Sequence, residues 1–231
     1  MFNKDVFLRE CMKIMHEHNG DLVLRGNQMD ELPDGLTVKG SLFLDGSAIK
    51  KLPAGLNIGE DLFIGDSKIE ELPNGLTVGG TLNLRNTTIK RLPSNLFVGR
   101  NLDLHKSKIE ELPSGLTVMG NLHLSGTAIK KLPSDLVVGR TLNLNGSKIE
   151  ELPDGLTVNG HLDLRFTPIR ELPDNLVVNG NLYLGASSVS FVPDGSNIGG
   201  EIIWNLKLIR WRKDEEQILL LSQLCNRKED M

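Results

Sequence analysis

The amino-acid sequence predicts an α+β repeat solenoid, in which stacked coils carry a parallel β-sheet and a helix closes each end. Residues 32–211 consist of nine copies of one 20-residue unit, without insertion or deletion. Each copy contains a short apolar alternation, and each end of the chain contains an amphipathic segment that departs from the repeat. Repetition at this period indicates a solenoid, because each unit buries its apolar side only against its neighbours.

One strand per coil is predicted from the middle of the repeat, which reads L-P-x-x-L-x-V-x-G-x-L-x-L-x-x-(S/T)-x-I-x-x with Leu32 at position 1. Positions 11 and 13 are apolar, as at Leu42 and Leu44, and Leu22 with Leu24 forms a tenth such pair ahead of the nine copies. Alternation with a period of two indicates a short strand with one buried side. Because these strands recur at a fixed spacing, we expect ten of them in one parallel sheet.

The other constant positions are predicted to shape the coil. Proline at position 2 has no N–H to donate and marks an extended bend. Glycine at position 8 or 9, as at Gly40 and Gly99, predicts a tight turn that needs a positive φ. Serine or threonine at position 16, as at Ser67, is predicted to satisfy backbone groups inside the coil. Positions 19 and 20 alternate between acidic and basic pairs, which predicts a ladder of exposed ion pairs.

Composition and charge argue against several classes of function. The formal charge of -4 is spread along the chain without a basic stripe, so no nucleic-acid partner is expected. No apolar run reaches about 18 residues, so no membrane span is expected. The first residues lack the features of a signal peptide. Cys11 and Cys225 lie in opposite terminal segments, too far apart to pair, and free thiols favour a cytoplasmic protein.

Three segments are predicted along the chain. Residues 1–19 form an N-terminal capping helix, residues 20–211 form the solenoid of ten strand coils, and residues 212–231 form a C-terminal capping helix. Asp214 and Gln217 resemble a capping box that opens the second helix. Caps are expected because a solenoid otherwise exposes its core at both ends. The alternative is that one helix docks a partner or forms a dimer.

The repeat resembles a known family. The pattern L-x-L-x-x-(N/S/T)-x-(I/L)-x-x-L-P-x-x-L is similar to the leucine-rich repeat, and the 20-residue length with its L-P start resembles the short bacterial and bacteriophage class found in secreted effectors. The resemblance covers roughly residues 20–211 and implies a right-handed β-solenoid or horseshoe.

The chain departs from this class in two ways. The usual ladder asparagine is Ser or Thr in nearly every copy, and an L-x-V segment stands where effectors tend to carry a second proline–leucine pair. If L-x-V forms a second short strand, the coil is flatter and approaches a two-sheet solenoid. Some family members carry a ubiquitin-ligase domain with a C-x-D nucleophile, whereas Cys225 is followed by Asn226 and Arg227, so that activity is not expected.

The candidate binding site is the middle residue of each L-x-L strand, which points away from the core and varies while its neighbours stay fixed. In solenoids such an open face is the usual binding surface. Its first members are apolar and form the best candidate for a hot spot. The alternative is an ordinary strand surface. We call this set the face column; it consists of Val23, Phe43, Phe63, Asn83, Asp103, His123, Asn143, Asp163, Tyr183 and Ile203.

Residues beside the face column add a second hypothesis. Arg85, His105, Arg165 and Phe166 flank it in the sequence pattern. Histidines and aspartates of adjacent coils are of the types that bind zinc, but no dedicated ligand spacing accompanies them. These residues are Asp103, His105, His123, His161 and Asp163.

The expected function is therefore recognition rather than catalysis. We expect a non-enzymatic module, without a cofactor, that binds a partner protein through the face column. The resemblance implies a bacterial or phage effector that acts on a host factor in the host cytoplasm. Two alternatives remain open: a structural protein that assembles with itself through its end caps or sheet edges, and an enzyme or metal site on the central histidine and aspartate face.

Overall fold

The structure, a computed structural model, describes residues 19–28, 31–204 and the backbone of 207–209. All secondary structure in these residues is β-strand, so the α+β class is not supported there. The two capping helices predicted in residues 1–19 and 212–231 lie outside the described residues, except for Asn19. The parallel solenoid itself is confirmed.

The strands are short and recur twice per coil. In chain order they are β1 (Leu22–Val23), β2 (Thr37–Val38), β3 (Leu42–Phe43), β4 (Asn57–Ile58), β5 (Leu62–Phe63), β6 (Thr77–Val78), β7 (Leu82–Asn83), β8 (Phe97–Val98), β9 (Leu102–Asp103), β10 (Thr117–Val118), β11 (Leu122–His123), β12 (Val137–Val138), β13 (Leu142–Asn143), β14 (Thr157–Val158), β15 (Leu162–Asp163), β16 (Val177–Val178), β17 (Leu182–Tyr183), β18 (Asn197–Ile198), β19 (Ile202–Trp204) and β20 (Lys207–Ile209).

These strands form two sheets. The odd-numbered strands and β20 make a sheet of 11 strands, and β2 to β18 make a second sheet of nine. We call them the first and second sheets. Parallel neighbours are offset by one 20-residue repeat, as in the pairing of Leu122 with Leu142. The second strand, considered for the L-x-V segment, is therefore confirmed.

One continuous apolar core includes the inward side chains of both sheets. Repeat positions 1, 5, 7, 11, 13 and 18 supply it, and in the coil that contains Leu122, the side chains of Leu122, Leu124 and Ile129 are 0% exposed. The backbone of the first sheet is tied from coil to coil, since the Leu122 N–H donates to the Thr141 oxygen at 2.9 Å and the Leu124 N–H donates to the Asn143 oxygen at 2.7 Å. With both sheets anchored, the face column is held on a rigid scaffold.

The glycines at positions 8 and 9 do not have the positive φ that we predicted for the nine repeats. The positive-φ glycines lie instead at positions 4 and 15, as at Gly75 with φ 72° and Gly146 with φ 64°. At position 8 the requirement is close approach: a Cβ at Gly99 would overlap the carbonyl oxygen of Gly79 in the preceding coil. The prediction was wrong because a glycine in a sequence does not distinguish a left-handed backbone from a missing Cβ.

The Ser/Thr column at position 16 behaves largely as predicted. Five of its hydroxyls donate to the carbonyl oxygen three residues earlier, and the bond from Ser67 to Ile64 is 2.6 Å long. The buried hydroxyls of Ser47, Ser107 and Ser147 have no hydrogen-bond partner among the described residues. The column therefore satisfies backbone carbonyls in most coils, but not in all of them.

A second polar ladder runs along position 10, immediately before each strand of the first sheet. A side-chain acceptor in one coil receives the backbone N–H of position 10 in the next coil, over 2.6 to 3.3 Å. Every residue at this position carries a side-chain acceptor. The repeat consensus does not show this shared property, because the residue type changes from coil to coil. The acceptors are Asp21, Ser41, Asp61, Asn101, Asn121, His161 and Asn181.

The predicted charge ladder forms ion pairs in one direction along the chain. Five pairs join a basic residue to the acid one coil later, including Arg91 with Glu111 at 2.9 Å and Lys130 with Glu150 at 2.9 Å. Lys130 lowers the pKa of Glu150 through a hydrogen bond and its charge. These side chains are exposed, so each pair contributes little stability.

The C-terminal edge of the first sheet differs from the repeat pattern. β20 pairs with β19 in the antiparallel direction, with Ile202 opposite Ile209. An antiparallel strand ends the run of parallel coils and occupies the edge that the last coil would otherwise expose.

Candidate functional site

The first sheet brings the ten residues of the face column into one continuous row. Each residue is the register partner of the next, from Val23 with Phe43 to Tyr183 with Ile203. The row crosses all ten parallel strands, so residues far apart in sequence become neighbours. Strand spacing places successive members about 4.8 Å apart.

Exposure along the row is less uniform than the sequence pattern predicts. Val23 is 47% exposed and eight members are half-buried, but Asp163 is only 6% exposed. Phe43 and Phe63 are half-buried rather than fully exposed because each covers a face of the other. Asp163 is covered because Arg165 binds its carboxylate.

The N-terminal end of the row is an aromatic stack. The rings of Phe43 and Phe63 lie parallel, with centroids 5.0 Å apart and 4° between their planes. The Arg25 guanidinium lies 4.5 Å from the Phe43 centroid and forms an ion pair with Asp45 at 3.2 Å. Stacked rings and a cation over a ring each contribute about 0.5–1.5 kcal/mol beyond area burial. The stack is therefore ordered before any partner arrives.

The centre of the row is polar and engaged with its own backbone. In three of the central coils an Asn or Asp side chain accepts the N–H of the residue two positions later, over 2.9 to 3.1 Å, and Asp163 repeats this bond nearer the C-terminal end. The His105 Nδ1 also lies 2.6 Å from the Ser125 hydroxyl. These bonds fix the backbone just after each strand. The three acceptors are Asn83, Asp103 and Asn143.

The C-terminal end of the row is a charged and aromatic cluster. The Arg165 Nε and Nη2 donate to the two Asp163 oxygens at 2.9 and 2.6 Å, and the guanidinium lies 5.3 Å from the Tyr183 ring centroid. The hydrogen bond with Asp163 raises the pKa of Arg165. His161 meets the Tyr183 ring edge-on, with centroids 6.0 Å apart. At this end of the row, the charges of Arg165 and Asp163 therefore neutralise each other.

Phe166 lies beside this cluster in a strained backbone conformation. Its φ is 57° and it is 66% exposed. A bulky residue with positive φ is uncommon, because its Cβ crowds the backbone and the conformation is strained. The position-15 column mostly uses Gly, Asn or Asp for this conformation, so the aromatic side chain at Phe166 marks this end of the face as a secondary candidate contact.

The metal hypothesis finds no support in the geometry. Within residues 19–28 and 31–204, no three His, Cys, Asp or Glu side chains converge as a metal site would require. Asp103 uses its Oδ1 to accept the backbone N–H of His105.

In the part of the chain that the structure describes, no helix is long and apolar enough to span a membrane.

Comparisons with known proteins find matches among solved structures. No protein-family model matches the chain, and no curated protein matches its sequence. Among solved structures, it is similar to YopM, a leucine-rich effector protein from Yersinia pestis, with 17% identity, a TM-score of 0.47, and coverage of 85% of this chain and 74% of that one. YopM from Yersinia enterocolitica WA-314 matches with 17% identity, a TM-score of 0.26, and coverage of 88% and 70%.

The 20-residue period of the parallel solenoid confirms the repeat from which the resemblance to leucine-rich repeat proteins was drawn, and the two YopM matches stand beside it as similarity alone. At 17% identity, no conclusion about the function of this chain follows from them.

Proposed function

We propose that this protein is a non-enzymatic interaction module that binds a partner protein through the face column on the first sheet. The observation that carries the proposal is the Phe43–Phe63 stack, two parallel rings held half-exposed on a rigid strand surface. Ordered aromatic side chains are the usual anchors of protein interfaces, because they bury large area at low entropic cost.

The contrast between neighbouring columns supports the same proposal. Positions 11 and 13 remain Leu, Ile or Trp throughout, whereas position 12 between them changes from Phe to Asn, Asp, His and Tyr. Packing explains the constant columns, since nearly all of their members are buried. Packing does not determine which residue stands at position 12. Contact with a partner outside the core would explain why the side chains there vary in chemistry.

The nature of the partner is part of the proposal. The repeat resembles the class found in bacterial and phage effectors, and such a protein would meet a host factor in the host cytoplasm. We expect the partner to be a protein, with no cofactor, nucleic acid or membrane involved. Self-association through the end caps or sheet edges is the alternative, and so is a site at the central histidines.

A capture experiment with matched variants tests the proposal. Wild type, Phe43→Asp/Phe63→Asp and Phe97→Asp are immobilised and exposed to a lysate of the candidate host. Phe97 is the control because it is also a strand phenylalanine, 48% exposed, but lies on the second sheet. Circular dichroism checks that all three remain folded.

The proposal predicts a protein that is retained by wild type and by Phe97→Asp, but lost from the double variant. Equal retention by all three would move the contact to the ends or the second sheet. If nothing is retained and light scattering gives a mass that rises with concentration, the self-assembly alternative replaces the proposal. Metal that stays bound through purification would point to the central histidines.

A further inference from the structure

Three arginines flank the face column at position 14, and two of them are neutralised by aspartates. Arg25 pairs with Asp45 at 3.2 Å, and Arg165 pairs with Asp163 through two hydrogen bonds. Arg85 occupies the same position in its coil, is exposed, and has no ion pair among the described residues.

Two carboxylates of the adjacent coils, those of Asp66 and Asp103, accept hydrogen bonds from other groups. Asp66, in the preceding coil, accepts the Asn86 side-chain amide at 2.8 Å, and Asp103, in the following coil, accepts the His105 backbone N–H at 2.9 Å. The Arg85 backbone is fixed by the Asn83 side chain, whose Oδ1 accepts its N–H at 3.1 Å. The Arg85 backbone is therefore fixed, while its guanidinium forms no ion pair among the described residues. We call this guanidinium the free cation.

Gly65 leaves room for this arginine beside the aromatic stack. A Cβ at Gly65 would come within 2.8 Å of the Arg85 Cγ, so the stem of Arg85 lies over the position where a side chain would stand. Gly65 follows Phe63 by two residues, and Phe63 pairs in register with Asn83. The free cation therefore adjoins the apolar end of the face. We call Phe43, Phe63, Gly65 and Arg85 the phenyl–arginine patch.

We propose that this patch binds an extended acidic–apolar segment of the partner protein. An aromatic or aliphatic side chain of the segment covers the Phe43–Phe63 stack, and an aspartate or glutamate pairs with Arg85. Adjacent strands lie about 4.8 Å apart and an extended chain advances about 3.3 Å per residue, so the two side chains stand within about two residues of each other. This inference rests on the proposed function and names the chemistry of its partner.

The charges around the patch favour a peptide over a nucleic acid. A ring stack beside an arginine also suits a nucleobase and its phosphate. However, Asp21, Asp45, Asp61 and Asp103 lie on or beside the same face, and a polyanion would cross all of them. A segment with one carboxylate meets only the free cation, which satisfies charge complementarity.

A random peptide library displayed on phage, panned on the full chain, tests this proposal. The variants are Arg85→Glu, Phe43→Asp/Phe63→Asp and, as a charge control, Arg140→Glu. Arg140 is an exposed residue at position 9, outside the face column and its flanking positions. Selected peptides are synthesised and their Kd is measured by fluorescence polarisation, beside a single-stranded oligothymidine.

The expected peptides carry an acidic residue close to an apolar one. Arg85→Glu should weaken their binding by about tenfold or more, and replacing the peptide acid by lysine should restore binding to Arg85→Glu. Arg140→Glu should change the Kd by less than about twofold.

The other outcomes separate this inference from the proposed function. Peptides that need Phe43 and Phe63, but show no acidic preference and no effect of Arg85→Glu, would overturn the inference and leave the proposed function standing. If no selected peptide depends on Phe43 or Phe63, or if none is selected, both lose their support. Oligothymidine binding that Arg85→Glu abolishes would replace the peptide by a nucleic acid.

Discussion

The coils contain two classes of glycine, and one pair of substitutions separates them. Gly99 has an ordinary φ but would place a Cβ on the carbonyl of Gly79 in the preceding coil. Gly75 has a φ of 72° and open space around its Cβ position. We predict that Gly99→Ala destabilises the solenoid by several times as much as Gly75→Ala.

The magnitudes follow from the contacts. The Gly99 N–H donates to the Val78 oxygen at 3.0 Å, and the Arg100 N–H donates to the Gly80 oxygen at 2.9 Å. Separating the coils to admit a methyl group weakens both bonds, at about 1 kcal/mol each, and adds an overpacking cost of about 1–3 kcal/mol. The reduced entropy of the unfolded chain returns about 0.4–1 kcal/mol in this variant too, so we expect a net loss of about 2–4.5 kcal/mol for Gly99→Ala.

Gly75→Ala involves strain without a collision. The left-handed conformation costs a non-glycine residue about 1–2 kcal/mol, and the reduced entropy of the unfolded chain returns about 0.4–1 kcal/mol. The net loss is about 1 kcal/mol.

Guanidinium unfolding followed by far-UV circular dichroism measures both variants. The midpoints are comparable only if the slopes match, because coils that contact only their neighbours can open separately. A Gly75→Ala loss equal to or larger than that of Gly99→Ala would refute the close-approach account of position 8.

The remaining predictions concern the polar columns. Ser67→Ala should lower the free energy of unfolding by about 1–3 kcal/mol, because it leaves the Ile64 carbonyl without its 2.6 Å bond. Ser107→Ala should leave stability unchanged or higher, because that hydroxyl has no partner among the described residues. An equal loss in both variants would contradict the role assigned to the Ser67 hydrogen bond. Lys130 lowers the pKa of Glu150 in the folded state, so this pair's stabilisation is present above the unfolded-state pKa and is lost as pH falls through the folded one. Glu150→Gln should therefore flatten the acid limb of stability against pH, and an unchanged limb would show that the exposed pair contributes nothing measurable.

Much of the fold follows from periodicity alone. The spacing of Leu122 and Leu142 predicts their pairing, and the L-x-V segment contains the second strand at Thr117–Val118. Period and alternation suffice here because every coil meets a near-copy of itself, so one local solution is repeated along the whole chain.

The remaining features depend on how side chains from different coils meet. The burial of Asp163 follows from the rotamer that Arg165 adopts over it, and the Arg25–Phe43 contact joins two columns that the pattern treats separately. The antiparallel strand Lys207–Ile209 follows the point where the repeat decays, so periodicity carries no information about it. These tertiary details determine which parts of the face are free to bind.

The central claim is that the first sheet, at its aromatic end, binds the partner. Titration calorimetry of the captured partner with wild type, Phe63→Ala and Phe97→Ala tests it most directly. We predict that Phe63→Ala raises Kd by about 30-fold, equivalent to about 2 kcal/mol for an interface hot spot, while Phe97→Ala stays within about twofold of wild type. A large loss in Phe97→Ala with none in Phe63→Ala would contradict the account and assign recognition to the second sheet.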